Sequence, residues 1–281
     1  MKTGLVLEGG GVRGIYTAGV LDVFLENGIT FDGVVGVSAG AIHGCSYLSG
    51  QHGRSIRYYC NYCADPRFMS VSSLLKTGDL VGEDFCYHEI PEKLDVYDNE
   101  AFRRNGVPFY AVCSNVETGK AEYLQMTDMF RDIDILRASA SMPYVSRIVE
   151  INGKKYLDGG STDSIPVDAF RDMGYSRNVV VLTRDISYRK RPELRGMARL
   201  MYRKYPAFAK VQADRYLFYN RQVERVLELE KEGSIFVIRP SEPPVIGRME
   251  KDPGKVRALY EAGRKDALDR LAYLQNWLKN E

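Results

Sequence analysis

Two glycine-rich turns near the N-terminus hold residues whose types and spacing could do chemistry. Gly36-Val37-Ser38-Ala39-Gly40 fits G-x-S-x-G. In that pattern a serine sits on a sharp strand-to-helix turn, and its neighbours must be glycines because side chains would not fit there. The hydroxyl is then exposed beside a helix N-terminus, whose dipole and N–H groups favour developing negative charge. The apolar run Gly33-Val34-Val35-Gly36-Val37 ahead of Ser38 supplies the strand this reading requires. Gly36 and Gly40 are therefore the elbow residues and Ser38 the candidate nucleophile.

A serine nucleophile needs a base. The usual α/β-hydrolase order is serine, then acid, then histidine. The three histidines, His43, His52 and His88, all precede residue 100, and none follows a suitable acid late in the chain. His43 lies five residues beyond Ser38 on the same expected helix, a spacing that turns it away from the serine. The order argument favours ordinary polar packing for all three. The best carboxylate is Asp158, at a strand end before Gly159-Gly160. Glycines after a strand allow a carboxylate to approach another group closely, and a water-poor pocket can tune its pKa for base work. Without Ser38, the same aspartate would read as a turn or N-cap residue.

The other turn, Gly9-Gly10-Gly11-Val12-Arg13-Gly14, admits two readings. Gly9, Gly11 and Gly14 match G-x-G-x-x-G between a strand and a helix, the dinucleotide fingerprint. That fingerprint wants an acid at the end of the second strand. Here Asp32 precedes that strand, which ends instead in the serine elbow. No Gly-Lys-Ser/Thr follows, so a P-loop is excluded. An N–H-rich turn serves an oxyanion equally well, and Arg13 would add positive charge or lock the loop.

These residues need elements to hold them. Residues 15–27 place Ile15, Ala18, Leu21 and Leu25 at helical spacing, with Gly28 as a C-terminal stop. A second helix is expected from Ala39 to about Leu48. The chain thus opens β-α-β-α, the signature of an α/β layered fold with a parallel sheet. Residues 53–105 mix helical pieces with turn signals and read as a helical excursion, in the manner of a cap. Strands are expected at 107–114, 121–125, 148–151 and 155–157. The last two flank Asn152-Gly153, a strong hairpin signal. Helices are expected at 129–139 and 167–173, and a buried strand at 178–183. Beyond 183 the expectation is largely helical, at about 207–231 and 253–279, with one more strand at 234–239. No linker is evident, so the whole of 1–281 reads as one domain, with a motif-bearing core at about 1–185 and a helical extension at about 186–281.

Composition narrows the function classes. With 281 residues, the chain can bury a sizeable core. A net charge of +2 gives no argument for nucleic acid, and no partner of that kind is expected. The N-terminus lacks signal-peptide features and no apolar run is long enough to span a membrane. Five cysteines, an odd number, then favour reduced thiols in a cytoplasmic protein. Cys60 and Cys63 match C-x-x-C, but no second pair stands at metal spacing, so two helix-borne thiols are expected rather than a zinc or redox site. No metal or other cofactor is expected. The stretch 184–204 sets eight Lys and Arg residues against Asp185 and Glu193, with Tyr188 and Tyr202 interleaved. It is the candidate surface for peripheral membrane contact, with a solvated helical face or a partner surface as the plain alternative. Sequence says nothing of the oligomeric state.

Taken in order, Gly10-Gly11-Val12-Arg13-Gly14, Gly36-Val37-Ser38-Ala39-Gly40, Ala140-Ser141-Met142-Pro143 and Asp158-Gly159-Gly160 resemble the motif set of the patatin-like phospholipases. The resemblance covers about 5–185. It implies a three-layer α/β/α fold with a mainly parallel central sheet and a Ser38–Asp158 dyad in place of a triad. It also implies an oxyanion hole around Gly10, Gly11, Val12 and Arg13, and a lipid ester as substrate. Acyl transfer to an acceptor other than water, general carboxylesterase activity, and a non-catalytic lipid- or nucleotide-binding module remain the alternatives. Head group and chain length are not legible.

Overall fold

The computed structural model describes residues 1–192, 195–247 and 249–279. Eight strands form one sheet. They are β1 (Thr3–Leu7), β2 (Gly33–Val37), β3 (Phe109–Asn115), β4 (Lys120–Met126), β5 (Val149–Ile151), β6 (Lys154–Asp158), β7 (Arg177–Val181) and β8 (Ile235–Ile238). The order is β5-β6-β3-β2-β1-β7-β8, with β4 also paired to β3. Strands β3, β2, β1, β7 and β8 run parallel, whereas β4, β5 and β6 join antiparallel. The parallel centre follows from sequence: β1, β2 and β7 are apolar on both faces, as strands covered by helices on either side must be.

One face of the sheet is covered by α1 (Gly14–Glu26), α2 (Ala39–Leu48), α3 (Arg54–Tyr62) and the long C-terminal helix α10 (Pro253–Lys279), in a core that includes Phe24, Tyr47, Tyr59, Phe109 and Leu259. The opposite face is covered by α7 (Val167–Asp172) and α9 (Pro206–Lys231), through Phe170, Tyr219, Val223 and Val226 against Val6, Val35 and Val180. The C-terminal region is thus built into both layers, and its β8 extends the same sheet beside β7.

Residues 53–105 fold into α3, α4 (Val71–Thr77), a π-helical segment Asp84–Leu94 that contains Pro91, and α5 (Asn99–Asn105). The proline explains the absence of clean α-helical periodicity there, since it removes a backbone donor and crowds the preceding turn. The remaining helices are α6 (Ile133–Ala140) and α8 (Arg195–Met201). Cys60 lies on α3 and Cys63 just beyond its end. Their Sγ atoms approach the carbonyls of Pro253 and Lys251, and all five cysteines are free. Among the described residues no group of His, Cys, Asp and Glu could hold a metal ion, and no helix is long and apolar enough to cross a membrane.

Candidate active site

Register decides which residues meet. Val37, the last residue of β2, pairs with Val112 of β3, and the next residue of β3, Cys113, pairs with Asp158 of β6. β4 fills the other edge of β3 along its whole length, so β2 and β6 share one edge end to end, and Ser38 and Asp158 meet where the two strands abut. The Ser38 hydroxyl faces the Asp158 carboxylate and, as a hydrogen-bond donor, favours its ionised form. Asp158 also accepts from Gly160 N at 2.7 Å, and its own N–H donates to Ser141 O at 2.8 Å. Gly159 has no alternative at its position, because a Cβ there would lie 2.1 Å from Val112 O.

The elbow is a true strained turn. Ser38 has φ 54° and ψ −120°, in the region that a residue with a side chain rarely occupies. The turn is fixed on one side by Ser38 N donating to Ser139 Oγ at 2.9 Å. On the other side, a Cβ on Gly40 would fall 2.5 Å from Leu7 O, so only glycine lets α2 start this close to β1. Ser38 is the N-cap residue of α2, which places its hydroxyl at the positive end of that helix.

The glycine turn after β1 closes the site from a third side. Gly9 packs against Val37 and Ser38 at 3.1–3.3 Å from its implied Cβ, Gly11 is exposed at φ +55°, and Gly11 and Ser38 line one pocket. Val12 is buried and Arg13 partly so. Asp32 lies at the opposite end of the sheet, where it accepts from Thr3 N and Oγ1. It is therefore remote from the turn to which a dinucleotide fingerprint would couple it.

Beneath the turn sits a residue that sequence reading passed over. Glu8 is fully buried and accepts from Thr183 N, from Thr183 Oγ1 at 3.0 Å and from Tyr219 Oη at 2.7 Å. Burial raises its pKa, against the pull of Thr183, Tyr219 and Arg13. Thr183 in turn presses on Gly10, whose implied Cβ would lie 2.8 Å from it. The charge of Arg13 is thus felt at Glu8, inside the support of the loop.

Asp158 is buried, and burial raises its pKa above the ordinary aspartate value. Four influences oppose that shift: the Arg215 charge, the Ser38 hydroxyl, the Gly160 N–H and the Lys190 charge. Arg215 and Lys190 have no motif to announce them. A carboxylate whose ionised form is costly and which faces a serine hydroxyl is suited to taking that proton.

None of the histidines contacts this pair. His52 and His88 are exposed and pair with Glu26 and Glu92. His43 is buried with Nδ1 2.9 Å from Ser55 Oγ, and burial together with Arg54 pushes its pKa down to about 3, so it is neutral.

A pocket with a cavity volume of about 110 Å³ opens at Ser38. Its walls are mostly apolar and come from α2, α3, the π-helical segment and α6, with Tyr58, Phe68, Ile90, Met129 and Leu136 among them. The helical excursion is therefore one wall of the pocket. The segment Ala140-Ser141-Met142-Pro143 has a double placement: Ala140 and Met142 line the pocket, while Ser141 holds Asp158.

An α/β sheet with a serine elbow, a carboxylate partner on a neighbouring strand and a glycine turn over both defines a hydrolase-like class of site. The Patatin-like phospholipase family matches residues 5–171, and the chain belongs to that family. Residues 205–279 match a second family, a domain of unknown function, DUF6363. The uncharacterized protein YjjU of Escherichia coli K12 is 31% identical over 186 residues, 65% of this chain and 52% of that protein. Lysophospholipase NTE1 of Kluyveromyces lactis is 26% identical over 306 residues, 99% of this chain and 20% of that protein. The chain thus spans about half or less of the length of these relatives. Among solved structures, VipD from Legionella pneumophila overlays with a TM-score of 0.46 at 12% identity, across 97% of this chain and 67% of that one.

Proposed function

We propose that the protein is a serine-dependent lipid acyl hydrolase of phospholipase or lysophospholipase type, with Ser38 as nucleophile and Asp158 as base. The observation that carries this reading is the strand register that brings Ser38 and Asp158 together, with Ser38 in the wall of a largely apolar pocket. The acyl chain occupies the pocket. Asp158 takes the Ser38 proton as Ser38 Oγ attacks the ester carbonyl. Backbone N–H groups of the Gly10-Gly11-Val12 turn and the α2 N-terminus face the oxyanion, with Arg13 beside them and its charge reaching Glu8 beneath the loop. Collapse of the tetrahedral intermediate expels the alcohol, which receives the proton from Asp158. Water, deprotonated by Asp158, then attacks the acyl-serine, and the fatty acid leaves as Ser38 regains its proton. No step calls for a metal or other cofactor. The NTE1 relatives bear the name lysophospholipase, which agrees with this reading.

The decisive experiment is labelling by a fluorophosphonate probe, followed by a substrate panel of phospholipids, lysophospholipids, monoacylglycerols and short p-nitrophenyl esters. Labelling that disappears in Ser38→Ala, together with hydrolysis of lipid esters, is the expected result. A wild-type chain that binds lipid but neither labels nor hydrolyses would favour a binding module instead. Product transferred to an alcohol in preference to water would make it an acyltransferase.

We also propose peripheral contact with an anionic membrane, on a narrower surface than the whole stretch 184–204. The first half of that stretch folds inward: Arg184 stacks on Tyr188, Arg189 pairs with Glu224, and the Lys190 N–H donates to Asn220. Glu193 lies outside the described residues. The second half exposes Arg199, Arg203 and Lys204 beside Met197, Leu200 and Met201. Tyr202 Oη accepts from Tyr144 N, and Val145 O accepts from Leu80 N, which ties the chain just beyond this helix and just beyond α4 to the rim segment 142–147. On α4, Leu75 is 83% exposed beside Val71 and Lys76. Apolar tips among cations at the pocket rim suit an anionic lipid surface.

A further inference from the structure

Two cations near Asp158 lie outside the apolar pocket, beside the helix on the other face of the sheet. The pocket walls that come from α2 and α3 belong to the core on one face of the sheet. Helix α9 packs on the other face through Tyr219, Val223 and Val226. One turn before Tyr219 on that helix stands Arg215, half-buried, and its Nε donates to Gly160 O. Its Nη2 and Asp158 Oδ1 each lie 3.0 Å from the point where a Cβ on Gly160 would stand, so the guanidinium edge is beside the carboxylate that faces Ser38. Lys190 is a second cation on this side, with Nζ 5.0 Å from the centre of the Tyr219 ring. Neither cation lines the apolar pocket.

A guanidinium has five donors, of which Nε is committed to Gly160 O. Its planar fork matches the oxygens of a phosphoryl group, and such charge-assisted pairs are among the stronger hydrogen bonds. We propose that Arg215, with Lys190 beside it, binds the phosphoryl group of a glycerophospholipid-type substrate, so that the lipid lies across Ser38 with its acyl chain toward α3 and its phosphate toward α9. The assignment rests on the reading of Ser38 as nucleophile. It gives the C-terminal region, the part matched by DUF6363, a direct share in substrate choice. It makes Arg215 a specificity-determining residue that favours phosphate-bearing esters over neutral glycerides.

Arg215 also braces the Gly159-Gly160 turn and acts electrostatically on Asp158. A purely bracing role would slow every ester alike and shift the acid limb of the pH profile. A phosphate-binding role separates substrates. The test therefore compares lysophosphatidic acid with the monoacylglycerol of the same acyl chain in wild type, Arg215→Gln and Arg215→Lys. The expected result is that the ratio of kcat/KM for the phosphate-bearing over the neutral ester falls about ten-fold or more in Arg215→Gln, and is partly kept in Arg215→Lys. An equal fall on both substrates, or none, overturns the proposal. A second arm needs no turnover. Ser38→Ala is titrated with the non-hydrolysable ether analogues, an alkyl-lysophosphatidic acid and the matching alkylglycerol. Tighter binding of the phosphate-bearing ether, lost when Arg215→Gln is added, supports the site even if hydrolysis is never detected; indistinguishable binding refutes it even in an active hydrolase.

Discussion

Replacing Asp158 by asparagine separates the charge of the proposed base from its shape. The carboxylate accepts from Gly160 N at 2.7 Å and faces the Ser38 hydroxyl. An amide of the same outline keeps one acceptor for Gly160, so the turn is retained. Basicity is lost. General-base catalysis is worth about 10²–10⁴ in rate, or about 3–5 kcal/mol of barrier at 1.36 kcal/mol per decade. Stability moves the other way. Burial raises the folded-state pKa of Asp158, so from the ordinary aspartate value of about 4 up to that raised value the folded protein holds more protons than the unfolded chain. The ionised carboxylate therefore weakens the fold progressively as pH rises through that window. A neutral amide removes this loss. The assay pairs initial rates on a p-nitrophenyl ester with thermal melting at pH 4 and pH 8. Asp158→Asn is expected to lose at least two decades of rate, to match or exceed the wild-type Tm at pH 8, and to lose that advantage toward pH 4. More than a tenth of the activity surviving would remove Asp158 as base. A lower Tm at pH 8 would refute the argument that burial, rather than the nearby cations Arg215 and Lys190, dominates the carboxylate's energetics.

Three further outcomes are expected. Gly10→Ala would drive a Cβ to 2.8 Å from Thr183, and the displaced turn should lower kcat by about 10²–10³ with little change in KM, measured by steady-state ester hydrolysis. Glu8→Ala would strip the buried Tyr219 hydroxyl and the Thr183 N–H of their acceptor, and urea unfolding should show a loss of about 1–3 kcal/mol for each such group. The double change Leu75→Glu and Leu200→Glu should weaken co-sedimentation with phosphatidylglycerol-containing vesicles while leaving hydrolysis of a water-soluble ester intact. Unchanged sedimentation would discard the rim as the membrane surface.

Local chemistry made much of this molecule legible in its sequence. Ser38 between Gly36 and Gly40 marks the strained turn, because only a tight strand-to-helix elbow needs that glycine pattern, and the turn is indeed at positive φ. The apolar runs of β1, β2 and β7 mark a buried parallel sheet, and Asn152-Gly153 marks the β5–β6 hairpin. These signals survive in one dimension because they arise between residues a few positions apart. Residues 53–105 were less legible, since Pro91 within the π-helical segment breaks the period, and what they wall in depends on where α2 and α6 stand.

Contacts between distant residues belong to the tertiary structure alone. Asp158 meets Ser38 through the register of β2, β3 and β6, across 120 residues of chain. Glu8 is bound by Thr183 and Tyr219, Ser139 anchors the elbow, and Arg215 reaches Gly160 from a helix with no motif. None of these has a periodicity or a spacing rule, because burial and hydrogen bonding act through space and are indifferent to separation along the chain. The sequence by itself determined the kinds of groups available and the turns that present them. Which groups face one another, and which charges lie beside the carboxylate, was decided by packing.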